Sequence, residues 1–254
     1  MEERLKFWDN RANLGYKAGS NDEILKTIEV NEIKKYINNN VKVLEIGCGN
    51  GITAIELAKS FNIDILAVDY SPKMIANAKL LLSKESSVNL KNRIKFEVLD
   101  VRDFSKITEK YDIVISERVL INIDSHEEQL KIINRIYNIL SSKGKFIMCE
   151  SSKQGLEMIN IEREKFELPR IEMPWHNNYI DDERLQNDLK KINLKLSKIN
   201  HFSSTYYFLS RIIYAHYANE NKLTLDYNSI INQMSYKLPV YGKFSQTKIW
   251  EWEK

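Results

Sequence analysis

The chain has 254 residues, of which 43% are hydrophobic and 29% are charged, a composition typical of a globular protein and not of a disordered one. Its 38 basic and 35 acidic residues are interspersed, so the net charge of +3 comes without the basic stripe that marks most nucleic-acid-binding proteins. The sequence has no signal-peptide pattern and no apolar run approaching ~20 residues. We therefore expect a cytoplasmic monomer or homodimer with neither a nucleic acid nor a membrane as its partner.

The first part of the chain alternates helical patterns with short apolar runs. Ser71 and Pro72 form a typical helix start, a capping residue followed by proline in the first turn. Predicted helices cover 22–40, 51–61 and 72–83, and predicted strands cover 41–46 and 63–68.

The same alternation continues to residue 150. Ser125 and Glu128 form a capping-box pattern that opens a helix ending near Leu140, and Ser141 to Gly144 is predicted to be a turn. Strands are predicted over 94–99, 111–116 and 145–149. Strands that are apolar on both faces and alternate with helices indicate an α/β doubly wound fold with a parallel sheet.

Beyond residue 150 the pattern is looser. A helix is predicted over 181–189, a strand over 194–202, a mostly helical Tyr-rich stretch over 204–242, and a last strand over 244–252. We interpret the chain as one structural domain: cap helices in 1–40, a core in 41–203 and 243–254, and a helical lid inserted at 204–242.

The most informative stretch is Glu45-Ile-Gly-Cys-Gly-Asn-Gly51, which follows a predicted strand and opens a predicted helix. Glycines in such a turn let the backbone approach a ligand closely. The next strand ends at Asp69, where a carboxylate can accept hydrogen bonds from ribose hydroxyls. Dinucleotide-binding enzymes use Gly-x-Gly-x-x-Gly, whereas here the third glycine comes one residue earlier.

These residues resemble the motifs of class I, Rossmann-like methyltransferases that use S-adenosylmethionine (SAM). The likeness covers about residues 40–150 and extends to Asp69-Tyr-Ser-Pro-Lys-Met74 and Leu99-Asp-Val101. It implies a mostly parallel seven-stranded sheet with an antiparallel last strand, and SAM as the cofactor without a metal. The cofactor-binding residues that it implies, together with three from the N-terminal entrance, are Glu45, Gly47, Cys48, Gly49, Gly51, Asp69, Tyr70, Met74, Asp100, Val101, Ser116, Trp8, Arg11 and Tyr16.

The methyl acceptor is expected beside the segment after the fourth strand, because ligands of open α/β sheets lie outside the carboxyl ends of the strands. Glu117 and Arg118 lie there and are candidates for a catalytic role or for an internal salt bridge. His176 is the candidate base, since a histidine of near-neutral pKa can take a hydroxyl proton. Candidate acceptor-binding residues are Asn160, Arg163, Trp175, Asn177, Tyr207 and Arg211.

The sequence thus predicts methyl transfer to a small polar acceptor, most simply a hydroxyl of a sugar or of a nucleotide-linked or surface-glycan precursor. The pathway follows only from a resemblance to stand-alone bacterial methyltransferases of surface-polysaccharide and specialised-metabolite pathways. The alternatives are N-methylation of a small amine or phosphoramidate-type group, an NAD-dependent oxidoreductase, and a non-catalytic SAM-binding protein.

Overall fold

One mixed sheet of seven strands organises the molecule; the computed structural model describes residues 2–254 apart from the side chain of Tyr16. The strands are β1 (Lys42–Ile46), β2 (Asp64–Asp69), β3 (Ile94–Val98), β4 (Tyr111–Glu117), β5 (Leu140–Ser151), β6 (Lys195–Asn200) and β7 (Thr247–Glu253). Their order in the sheet is β3-β2-β1-β4-β5-β7-β6, with β1 to β5 pairing in parallel and β7 running antiparallel to both of its neighbours. The predicted α/β fold with an antiparallel last strand is confirmed.

Helices cover both faces of this sheet. The described α-helices are α1 (Glu2–Arg11), α2 (Glu23–Lys34), α3 (Ile52–Ser60), α4 (Pro72–Ser83), α5 (Val88–Arg93), α6 (His126–Ile139), α7 (Lys153–Lys165), α8 (Asp182–Leu189), α9 (Ser204–Tyr207), α10 (Tyr214–Glu220) and α11 (Ile230–Ser235). A π-helical stretch, Phe208–Ile213, joins α9 to α10, and Ala12–Lys17 forms a 3₁₀ segment after α1.

The predicted helix starts at Ser71 and Ser125 are confirmed. The Ser71 hydroxyl accepts a hydrogen bond from the Met74 N–H at 3.1 Å, and the Ser125 hydroxyl accepts one from the Glu128 N–H at 3.2 Å. Each cap satisfies a backbone donor that has no partner within its own helix.

One local prediction was wrong and one helix was missed. Residues 141–144 were predicted to be a turn before a short strand, but they lie within β5. The pairing between β4 and β5 shifts register there, from Tyr111–Leu140 to Ile113–Lys145. The helix α7 was not predicted, because its inward face carries Asn160 and Arg163 among the apolar side chains and so interrupts the helical period.

Alternate residues of each central strand feed two cores, as expected for a sheet covered on both sides. Leu44 and Val114 pack with α6 and α8 on one face, while Val43 and Ile113 pack with α3 and α4 on the other. The carboxyl ends of β1, β2 and β4 are left uncovered by these cores, and the candidate site lies there.

Candidate functional site

A cavity of about 430 Å³ opens at the carboxyl ends of the parallel strands, within the size range of small-molecule sites (~300–1,000 Å³). Its walls come from the loops after β1, β2, β3 and β4, from the N-terminal segment, and from residues 171–179 and the helices near Arg211. Sixteen of the sequence-predicted site residues line it: Trp8, Glu45, Gly47, Cys48, Gly49, Asp69, Tyr70, Met74, Asp100, Val101, Glu117, Arg118, His176, Asn177, Tyr207 and Arg211.

The glycine loop between β1 and α3 has positive φ angles at Gly47, Gly49 and Gly51 (62°, 53° and 74°). A Cβ on Gly49 would meet nothing within 4 Å, so the backbone there borders open space. Gly51 differs, because a Cβ there would lie 2.4 Å from the Phe96 ring and 2.9 Å from the Ala78 Cβ. Gly51 therefore packs α3 against the sheet and does not line the cavity, which corrects its predicted role as a cofactor contact.

Asp69 is held in place by the glycine loop and by its own turn. Its Oδ2 accepts a hydrogen bond from the Gly49 N–H at 3.0 Å, and its Oδ1 accepts one from the Ser71 N–H at 2.8 Å. Burial raises the pKa of Asp69 to about 6, even though both N–H donors favour the ionised form. The result is a buried, oriented carboxylate that faces the cavity and titrates in the mildly acidic range.

Glu45 is the second carboxyl group at this end of the cavity. It is 2% exposed, and its Oε2 has no hydrogen-bond partner among the described residues. Burial, together with the nearby charge of Glu117, raises the pKa of Glu45 to about 8. A buried acceptor of this kind suits a cationic or hydrogen-bond-donating ligand group.

The far end of the cavity is lined by Tyr70, Met74 and the turn after β3. Met74 is buried under Ala12 and Ala18, so it forms part of a packed wall. The Asp100 carboxylate is bound by the Arg102 guanidinium, with Nε 2.8 Å from Oδ1 and 3.1 Å from Oδ2. Burial alone would raise the pKa of Asp100, but the Arg102 charge outweighs it and lowers that pKa. Arg102 lines the cavity and was not predicted from the sequence.

The charged groups at the end of β4 form a buried network and not an exposed catalytic pair. The Glu117 carboxylate accepts hydrogen bonds from the Lys26 Nζ at 2.5 Å and the Thr53 Oγ1 at 2.6 Å. Burial acts to raise the pKa of Glu117, yet Lys26 and Arg118 outweigh it and hold that pKa well below its usual value. Such a weak base does not fit proton abstraction, so the geometry corrects the catalytic expectation for Glu117 and favours the salt-bridge alternative.

Arg118 belongs to the same network. It has a left-handed φ of 56°, and its guanidinium lies 3.3 Å from the buried carboxylate of Glu29 and donates to the Gly19 carbonyl at 3.2 Å. Arg118 lines the cavity, but these contacts assign it to positioning the N-terminal segment, and its predicted catalytic role is not supported by them.

The N-terminal segment closes over the glycine loop. Arg11 donates to the backbone carbonyls of Ala18 and Lys17 at 2.6 and 2.7 Å and does not line the cavity, so its predicted contact with a cofactor carboxylate is corrected to a structural role. The side chain of Tyr16, also predicted to contact the cofactor, lies outside the described residues. Asn50 was missed by the sequence analysis: its amide donates to the carbonyls of Ala12 and Gly15 at 3.2 and 2.8 Å.

His176 lies at the cavity wall within an aromatic cluster. Its ring centroid is 4.6 Å from that of Phe7 and 5.7 Å from that of Trp8, and its Nδ1 has no hydrogen-bond partner among the described residues. Burial, followed by the charges of Arg4 and Arg11, lowers the pKa of His176 from its usual value, so the ring is neutral at pH 7. Its neighbour Trp175 is 59% exposed and lies outside the cavity, which does not agree with a substrate contact.

Three further expectations are corrected by burial. The Asn160 amide exchanges hydrogen bonds with the backbone of Ile171 at 3.0 and 2.8 Å, and Arg163 donates to the Pro169 carbonyl at 2.8 Å. Ser116 is fully buried in β4. None of these three side chains lines the cavity; Asn160 and Arg163 instead hold the segment that follows α7.

Tyr207 and Arg211 do reach the cavity, although both are engaged in contacts with other residues. The Tyr207 hydroxyl lies 3.0 Å from the Thr247 Oγ1, and the Arg211 Nη2 lies 2.5 Å from the Asp22 carboxylate. The Arg211 guanidinium also lies 4.8 Å from the ring centroid of Tyr227, another cavity residue. This wall combines aromatic surface with a buried cation.

Within residues 2–254 no group of three or more His, Cys, Asp or Glu side chains is arranged to hold a metal ion. Among the same described residues, no helix is both long and apolar enough to cross a membrane.

The chain matches a family model described as "Methyltransferase domain" over residues 37–206, which is more than half of its length. It is 32% identical over 141 residues to malonyl-[acyl-carrier protein] O-methyltransferase 1 of Ilyobacter polytropus, covering 55% of this chain and 46% of that protein. It is 31% identical over 131 residues to EEF1A lysine methyltransferase 2 of Homo sapiens, covering 50% of this chain and 54% of that one. The chain thus spans about half the length of these curated relatives.

Among solved structures, the fold resembles magnesium protoporphyrin IX methyltransferase from Synechocystis with bound S-adenosylhomocysteine (SAH). The TM-score is 0.61 at 16% identity, covering 96% of this chain and 93% of that one. At this identity the likeness concerns the fold alone.

Proposed function

Because the chain belongs to the methyltransferase domain family, we propose that it transfers the methyl group of SAM to a hydroxyl oxygen of a small polar acceptor. The observation that carries this proposal is the juxtaposition, in one cavity, of the open glycine loop, the oriented Asp69 carboxylate and the neutral His176 ring. The alternative of an NAD-dependent oxidoreductase is not favoured. The dinucleotide motif has its third glycine one residue later than Gly51, and Gly51 itself packs α3 against the sheet.

The residues present fit SAM. Asp69 would accept hydrogen bonds from the ribose hydroxyls, and Tyr70 and Met74 would flank the adenine. Gly49 leaves room for the methionine moiety, and the orphaned Glu45 oxygen is an acceptor for its ammonium group. When bound, SAM supplies a methyl group on a positively charged sulfur. A nucleophile can attack this methyl group directly, with the sulfur as the leaving group.

His176 is proposed as the base for the acceptor. As the new O–CH₃ bond forms and the C–S bond breaks, the electron pair of that bond stays on sulfur and the hydroxyl proton passes to the neutral imidazole. The aromatic wall around Phe7 and Trp8 holds the ring and restricts water, and orienting the acceptor in line with the methyl contributes further to the rate.

The rest of the cavity is proposed as the acceptor site, with the predicted lid, residues 204–242, as its outer wall. Asn177 lines it from the segment after α7, and Tyr207 and Arg211 line it from the helical stretch that begins at α9. Hydroxyl, amide and aromatic groups of this kind suit a sugar-like or nucleotide-linked acceptor, including a surface-glycan precursor. N-methylation of a small amine remains the second candidate, for which no base is needed if the amine arrives neutral.

Replacing His176 tests the proposed base. We expect His176→Phe, which keeps an aromatic ring beside Phe7, to lower turnover of a hydroxyl acceptor by roughly 10²–10⁴-fold and to leave SAM affinity unchanged. Because burial lowers the pKa of His176, the wild-type rate at saturating SAM should begin to fall at a more acidic pH than an ordinary histidine base would give.

The measurement is SAH release from SAM across a panel of hydroxyl and amine acceptors, with SAM affinity determined by calorimetry. His216→Ala is the matched control, since His216 does not line the cavity. If His176→Phe turns over at the wild-type rate, His176 is not the base.

A further inference from the structure

The segment from residue 223 to residue 241 exposes far more apolar surface than the rest of the molecule. It carries nine of the eighteen large hydrophobic side chains that are exposed in the described chain, although it makes up only a small part of the sequence. The most exposed of them include Leu225, Ile230, Met234, Val240 and Tyr241, at 52–70%. We call the exposed apolar side chains of this segment the 223–241 surface.

The helix within this segment is inverted with respect to an ordinary surface helix. In α11 the buried side chains are polar, Asn232 and Ser235 at 1% and 2% exposed, whereas Ile230 and Met234 are 69% and 59% exposed. A surface helix of a soluble domain normally places its apolar face toward the core. The outward face of α11 therefore leaves large apolar side chains exposed.

Polar contacts hold the segment in this orientation. The Asn232 amide donates to the carbonyls of Asp226 and Tyr227 at 3.3 and 3.0 Å. Farther along, the Thr205 hydroxyl donates to the Pro239 carbonyl at 2.8 Å and accepts from the Tyr241 N–H at 2.7 Å. The backbone is thus fixed to the helix that begins at α9, and the apolar side chains are left pointing outward.

The charge of the segment distinguishes between possible occupants. Lys222, Lys237 and Lys243 are exposed, and Asp226 is the single acidic residue between 221 and 243. None of the three lysines forms an ion pair within the described chain. A two-fold dimer would bring two copies of this basic patch together, whereas an anionic bilayer would attract the lysines and accept the apolar side chains.

We propose that the 223–241 surface docks on an anionic lipid bilayer. The apolar side chains enter the boundary between headgroups and acyl chains, and the lysines remain at the level of the lipid phosphates. Tyr227 belongs to this surface and also lines the cavity, so docking places the mouth of the site at the bilayer. The proposal departs from the expectation of no membrane partner, which rested on the lack of an apolar run long enough to span a bilayer.

Vesicle sedimentation tests the proposal with the full chain. We expect binding to vesicles of phosphatidylcholine with 30% phosphatidylglycerol at least about tenfold tighter than to phosphatidylcholine alone, weakening in high salt. The apolar double variant Ile230→Ser/Leu238→Ser should lose binding to both. The variant Lys222→Gln/Lys237→Gln/Lys243→Gln should lose only the preference for the anionic vesicles.

The matched control is Leu80→Ser/Val88→Ser, which removes two side chains of similar exposure on α4 and α5 and should bind like the wild type. Thermal unfolding of each variant shows whether it is folded. Failure of the wild type to bind either vesicle overturns the proposal, as does a wild-type dimer in light scattering that Ile230→Ser converts to a monomer. SAM titration on the same samples is independent, so loss of the proposed methyl transfer and loss of docking are distinguishable.

Discussion

Replacing Lys26 with methionine is expected to lower the free energy of unfolding by about 3–5 kcal/mol at pH 7, because it leaves a buried carboxylate without its main partner. The Lys26 Nζ lies 2.5 Å from the Glu117 Oε1, and the side chains are 16% and 4% exposed. The remaining groups near Glu117, the Thr53 hydroxyl and the more distant Arg118 charge, do not replace a direct ion pair at this depth.

The measurement is urea unfolding of the single variant and of Lys26→Met/Glu117→Gln. The double variant should recover part of the loss, because it removes the Glu117 charge that the single variant leaves buried without a partner. Glu117 has a folded pKa below that of the unfolded chain, so its ion pair stabilises the protein above the unfolded pKa and fades as the pH falls toward the folded one. The cost of Lys26→Met should therefore shrink in acid; a loss under ~1 kcal/mol at pH 7 would place the pair among ordinary surface salt bridges.

Alanine substitutions at two glycines of the same loop are expected to affect stability and SAM binding differently. Gly51→Ala should lower the free energy of unfolding by about 2–5 kcal/mol, because the new Cβ both occupies a left-handed conformation and overlaps the Phe96 ring. Gly49→Ala should lower the free energy of unfolding by only about 1–2 kcal/mol, the cost of the left-handed conformation, because its Cβ meets no atom within 4 Å.

The two variants should behave in the opposite order toward SAM. The methyl of Gly49→Ala projects into the cavity and should weaken binding sharply, whereas folded Gly51→Ala should bind nearly as the wild type does. Chemical unfolding and SAM calorimetry on both proteins make the comparison. Equal destabilisation of the two would mean that the contact between Gly51 and Phe96 does not govern the packing of α3.

The sequence predicted the fold, and it predicted which residues of the glycine loop and of the next two strand ends meet at one cavity, because both depend on local patterns. The apolar strands, the caps at Ser71 and Ser125 and the strand-end positions of Asp69 and Asp100 are all readable from neighbours in the chain. These positions converge because parallel strands end at one edge of a sheet.

The part of the cavity proposed for the acceptor could not be predicted in the same way, because its contacts join distant parts of the chain. Arg163 and Asn160 were predicted to bind the acceptor, yet their side chains form hydrogen bonds with backbone groups of the segment after α7. Lys26 carries no motif, and only the packing of α2 beside Thr53 and Glu117 brings it to the cavity. Asn50 lies within the glycine motif, but its contact with Ala12 depends on how the N-terminal segment packs. Glu117 was correctly placed at the cavity, but whether its charge is free depends on Lys26, which lies far from it in sequence.

Calorimetric titration of the purified chain with SAM tests the central claim most directly. The account predicts saturable one-site binding near pH 7.5 that weakens about tenfold per pH unit below the Asp69 pKa of about 6, since the ribose hydroxyls require the ionised carboxylate. Asp69→Asn should weaken binding by about 1–3 kcal/mol at neutral pH and remove that pH step. Absence of binding at millimolar SAM, or an unchanged affinity in Asp69→Asn, would contradict the account.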